Sequence, residues 1–91
     1  MVVVAENSSR LVFNADQAEF WRIKFEQKRF VIVKDNDRLQ PNAEVVIYEY
    51  DFLNDCITAE LFRALIVFKS TDLVEGVMDG YCVLQIDKSV S

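Results

Sequence analysis

Ile57-Thr58-Ala59-Glu60-Leu61-Phe62-Arg63-Ala64-Leu65-Ile66-Val67-Phe68 is the stretch that decides the fold. It is rich in β-branched and aromatic residues, which suit a pleated backbone. Alternation sets Leu61, Leu65 and Val67 on one face and Phe62, Ala64 and Ile66 on the other. Both faces are mostly apolar, which predicts a long strand at the centre of a sheet. Just before it, Leu53-Asn54-Asp55 breaks the chain and predicts a hairpin from a strand over about Glu44 to Tyr50. In that strand Val46, Tyr48 and Tyr50 point one way, and Val45, Ile47 and Glu49 the other.

Further out, Arg29-Phe30-Val31-Ile32-Val33-Lys34 reads as another strand, closed by an Asp35-Asn36-Asp37 turn. Ser70 to Gly80 reads as a loop with room for one helical turn, and Tyr81 to Ile86 as the last strand. Near the start, Leu11-Val12-Phe13 is a short strand. Asn14 with Gln17 three residues on forms a capping-box pattern, which predicts a helix from about Ala15 to Glu26. Ala18, Trp21 and Phe25 share one helix face, while Phe20 and Ile23 lie round the other side. An ordinary surface helix has one apolar stripe. Two predict cover on both sides, by the sheet and by a loop or a second copy of the chain, the latter making a homodimer. Four or five strands with one helix near the front make an α+β domain, a small curled sheet or barrel, spanning 1–91 without repeats or linkers.

Composition narrows the chemistry. The 91 residues carry 10 Lys+Arg against 15 Asp+Glu, a formal net charge of −5, with no His. The missing His excludes Ser-His and Cys-His nucleophilic pairs. Cys56 and Cys82, one in a turn and one in a strand, read as two free thiols of a reducing, cytoplasmic setting, and no metal site can be assembled from them. Gly76 and Gly80 alone make no phosphate-binding glycine fingerprint. The turn 35–37 lacks the later residues of a calcium loop, with Gln40 and Val46 where Gly and Glu are needed. Met1 to Val4 is too short for a signal peptide, and no apolar stretch approaches the roughly 18–20 residues that span a bilayer.

Charge is unevenly placed. Residues 22–38 carry six bases (Arg22, Lys24, Lys28, Arg29, Lys34, Arg38) against three acids, whereas residues 39–91 carry three bases against nine acids. An acidic protein is not built for non-specific binding to duplex phosphate. A local basic face with aromatic neighbours can still hold a phosphate or a short strand, with bases stacking on rings. Tyr48 and Tyr50 on one strand face, with Trp21 and Phe30 in neighbouring elements, supply such rings.

The order of these segments is informative. A strand and helix lead into Lys28-Arg29-Phe30-Val31-Ile32-Val33-Lys34-Asp35-Asn36-Asp37-Arg38. Tyr48-Glu49-Tyr50-Asp51, Ile57-Thr58-Ala59-Glu60 and Asp79-Gly80-Tyr81-Cys82-Val83-Leu84-Gln85-Ile86 follow. Over residues 11–86 the chain resembles the small ASCH domains of the PUA-like superfamily, in particular a phage and bacterial family of unknown function. The resemblance implies a curled β-barrel of about five strands beside a cleft, in a superfamily associated with RNA or modified nucleosides. Some small members hydrolyse acetylated cytidine. The superfamily's cleft motif, Gly-x-Lys-x-x-Glu-x-Arg, falls on Gln27, Arg29, Ile32 and Lys34. Arg29 and Ile32 replace the hydrolases' lysine and threonine. Arginine stays protonated and isoleucine has no hydroxyl, so the amidohydrolase activity is not expected.

The expectation is therefore a non-catalytic module, without cofactor, that binds RNA or a nucleotide through Arg29, Lys34 and Arg38, with Tyr48 or Trp21 stacking. The alternative is a phage-type acidic interaction protein that binds a host protein. Glu44, Glu49, Asp51, Asp55 and Glu60 would then imitate nucleic-acid phosphates.

Overall fold

The valine-rich and aromatic runs become six strands: β1 (Val2–Ala5), β2 (Val12–Ala15), β3 (Phe30–Lys34), β4 (Glu44–Asp51), β5 (Cys56–Ser70) and β6 (Tyr81–Lys88). One helix, α1 (Gln17–Phe25), lies between β2 and β3. The structure, a computed structural model, describes residues 1–5, 10–26, 28–72 and 79–88. Gln27 and most of the loop expected over Ser70–Gly80 lie outside the described residues.

The strands form one sheet in the order β1-β2-β4-β5-β6-β3. Among the described strands only β2 and β4 run parallel; every other pair is antiparallel. The two end strands, β1 and β3, approach each other, so the sheet curls into a nearly closed barrel. β5 makes the curl possible. Its register shifts against β4 between Tyr48 and Tyr50, and against β6 between Ile66 and Phe68. Such bulges bend a strand and raise its twist, so one 15-residue strand serves both halves of the barrel.

Among the described residues the strand count is six rather than about five. The apolar run Met1 to Val4, for which no strand is expected from the sequence, supplies most of β1, which pairs with β2 and turns Val2 and Val4 toward the core. The core is filled by the inward residues Phe13, Val33, Val45, Ile47, Ile66, Cys82 and Leu84, closed by Phe20 and Ile23 of α1.

Two expectations need correction. β5 is central, between β4 and β6, but it is not buried on both faces. Ala64 and Ile66 are fully covered, whereas Leu61, Leu65 and Val67 are exposed. The barrel has an inside and, among the described residues, no second layer outside. The helix is capped by Asp16, not Asn14: Asp16 Oδ1 accepts from the Glu19 N–H at 2.9 Å. Asn14 is held in the ladder between Val3 and Tyr48, so its backbone is committed to the strand. Glu19 in the first turn and Arg22 and Lys24 in the last complement the helix dipole. Among the described residues of a single chain, only one apolar side of α1 is covered. Trp21 and Phe25 remain 41% and 57% exposed and stack on each other, with centroids 4.5 Å apart.

Candidate functional site: an arginine-lined cleft

An open cleft of about 430 Å³ lies where β2 begins beside β4 and β5. Arg10, Arg38, Arg63 and Glu44 line it together with Leu11, Ala43 and Val46. Register explains the gathering. Val46 stands between Val12 of β2 and Arg63 of β5, and its N–H donates to the Leu11 carbonyl at 3.0 Å. Arg63 on β5 and the segment that carries Arg10 into β2 therefore flank β4 on its two sides.

Arg38 comes from the segment that links β3 to β4, and that segment is pinned. The Arg38 N–H donates to Asn36 Oδ1 at 2.8 Å, a local turn bond that asparagine favours. Leu39 is fully buried, so it anchors the segment in the core. Farther on, Asn42 adopts a left-handed backbone (φ 75°) and donates to the Ile66 carbonyl at 2.7 Å, while Ile66 N–H donates back to Ala43. Neither Arg10 nor Arg63 forms an ion pair among the described residues. Three guanidiniums thus sit round one hollow in a protein of net charge −5.

The structure spreads the expected site residues over several places. Arg38 lies in the cleft. Tyr48 follows Val46 on the same strand face, roughly 7 Å along, half-buried and paired with Leu61. Arg29 is elsewhere: it precedes β3, some 17 Å of strand from the segment that carries Arg38. Its Nη1 meets Asp87 Oδ1 at 3.3 Å beside a hollow of only about 80 Å³. Lys34, exposed at the end of β3 opposite Tyr81, does not line the cleft, and Trp21 rests on Phe25. Ile32 points outward and is exposed. Arg10 and Arg63 were not among the expected residues. They lie 53 positions apart, and nothing local marks them as partners.

The acidic set is likewise divided. Glu44 lines the arginine cleft, and Glu60 pairs with Lys24 at 3.0 Å. Glu49 and Asp51 line a second hollow of about 520 Å³, with Asp16, Tyr50 and Phe52. Asp51 is the pivot of the β4–β5 hairpin. Its carboxylate accepts from the Asn54 side chain and from the Leu53 and Asn54 N–H groups. Those bonds, led by the Asn54 side chain, hold its pKa below the ordinary value. Tyr50 donates its hydroxyl proton to Asp55, which holds the phenol pKa up.

The two cysteines are both unpaired, Cys56 exposed and Cys82 buried. Burial first, then the neighbouring Asp35 carboxylate, pushes the Cys82 thiol up to about 11. Asp35 is bridged to Lys69 at 2.7 Å. No group of three or more metal-ligating side chains occurs among the described residues, and no helix there is long and apolar enough to cross a membrane. No family model matches the chain, and no curated protein matches it.

Proposed function

We propose that this domain is a non-catalytic binding module that holds RNA or a nucleotide by its phosphate in the arginine cleft. The observation that carries the reading is the convergence of Arg10, Arg38 and Arg63 on one hollow. Guanidinium groups match phosphate oxygens bidentately and stay charged at every relevant pH. Among the described residues the cleft lining contains no hydroxyl, thiol or amine nucleophile, which supports binding without chemistry. Two features support a PUA-like, ASCH-type assignment: the curled barrel and the resemblance carried by the Asn36-Asp37-Arg38 turn and the closing strand.

The test is fluorescence anisotropy with fluorescein-labelled decauridylate and with a fluorescent ADP, at low and high salt. Saturable, salt-sensitive binding is expected, weakened about tenfold or more by Arg63→Ala, in line with ~1.5–3 kcal/mol for a charged hydrogen bond. Arg29→Ala and Lys34→Ala should leave it unchanged. Failure of both probes to bind at low salt would remove the reading.

A second reading, a module that docks on a protein, is favoured by the hairpin hollow and its acids Glu49 and Asp51. It expects a protein partner that is released as salt rises.

A further inference from the structure

We infer that the arginine cleft accepts one phosphorylated nucleoside rather than a nucleic-acid chain, with Glu44 accepting hydrogen bonds from the sugar hydroxyls. This rests on the phosphate-binding reading above and narrows its ligand.

Size is the first argument. At about 430 Å³ the cleft falls in the range of small-molecule sites. Its floor is aliphatic, with Leu11 and Val46 almost wholly covered, and suits the flat face of a base or sugar. The charges stand at the rim and come from three different parts of the chain.

The surroundings are the second argument. A polyanion needs a basic track leading away from its first contact. None leads away along the β4–β5 ribbon. Toward the hairpin, the pair Val46 and Arg63 gives way to Tyr48 and Leu61, and then to Glu49, Asp51 and Asp55. In the other direction, Glu44 and Leu65 follow, and Asp87 beside Leu65 on β6 is bridged to Arg29. A second or third phosphate placed toward the hairpin meets carboxylates within about a Debye length.

Glu44 is the third argument. A carboxylate among three guanidiniums repels bare phosphate, and no ion pair of Glu44 occurs among the described residues. A ligand that brings O–H donors next to its phosphate turns that repulsion into attraction, since a carboxylate is an acceptor only. A ribose does this.

Calorimetric titration of the full chain with ADP, pyrophosphate and decauridylate tests the inference. ADP should bind one to one and at least as tightly as decauridylate. Glu44→Gln should weaken ADP several-fold while pyrophosphate binds equally well or better. Decauridylate binding tenfold tighter than ADP, with affinity rising from trinucleotide to decanucleotide, would overturn the single-nucleoside ligand yet leave phosphate binding standing. Equal effects of Glu44→Gln on ADP and pyrophosphate would overturn the role of Glu44. No binding of any of the three would overturn both this inference and the reading beneath it.

Discussion

The two ends of β4 are opposites. At one, Glu44 and Val46 open onto three arginines; at the other, Glu49 and Asp51 open onto Asp16 and the tip of a hairpin. A strand of eight residues, roughly 25 Å long, separates a basic hollow from an acidic one. Net charge is thus a poor guide to what a small barrel can bind. The basic stretch 22–38 is no better guide. It supplies one arginine to the cleft, while Lys24, Lys28 and Arg29 are engaged with Glu60, Glu19 and Asp87.

Both ends hang on one inward row, and removing it should destroy the contrast altogether. Ile47 is fully buried between Phe13 and Phe62, so Ile47→Ala should cost about 2–5 kcal/mol of unfolding free energy. Urea denaturation measures this, and a loss under 1 kcal/mol would mean the barrel interior is loosely packed. Reversing a charge at one end should be next in size. Arg63→Glu should abolish phosphate binding at a probe concentration that half-saturates the native protein, with the thermal midpoint nearly unchanged because the side chain faces outward.

The reverse manipulation at the acidic end sharpens the comparison. Asp51→Asn with Asp55→Asn keeps an acceptor for the Leu53 and Asn54 N–H groups, gives up the one for the Asn54 side chain and removes two charges, and should raise decauridylate affinity a few-fold without altering that for ADP. An equal gain for both ligands would mean that the acids act through the general field rather than by blocking one direction.

A smaller effect concerns protons. The Lys28 ammonium, bonded to Glu19 at 2.6 Å, is the main cause holding the Glu19 carboxyl below its ordinary value. A depressed carboxyl contributes stability that is present above its unfolded pKa, near 4.5, and is lost as pH falls through the folded value. Stability measured from pH 6 downward should therefore fall, and Glu19→Gln should flatten part of that fall. The thiols should differ in the same physical spirit. At pH 8 a thiol reagent should modify Cys56 quickly and reach Cys82 only on unfolding, since Cys82 is buried and its thiol is pushed up to about 11.

Much of the barrel was legible in the sequence because alternation and turn chemistry are local. The hairpin at Leu53-Asn54-Asp55, the strand at 29–34 and the final strand all follow from such signals. Alternation marks two faces without saying what covers them, so Leu61, Leu65 and Val67 read as buried although they face outward. The helix start was read from Asn14 and Gln17 three positions on. Strand pairing with Val3 and Tyr48 commits Asn14 to the sheet and leaves the cap to Asp16, and pairing is not visible in a local window. The cleft was the least legible part. Arg38 stands out in a basic stretch, but Arg10 and Arg63 meet it only through the register of β2, β4 and β5.

That register also has a kinetic side. β2 reaches its parallel partner β4 only after α1 and β3 intervene, and β3 pairs with β6 across more than 40 residues (Phe30 with Gln85, Lys34 with Tyr81). Distant pairings of this sort must close large loops before they are rewarded, which places such chains among the slow folders, on the millisecond-to-second scale. The three arginines, carried by residues 10, 38 and 63, converge only when those pairings are made. Ligand capture in a refolding experiment would then mark the end of folding, appearing after the hairpin signal and never before it.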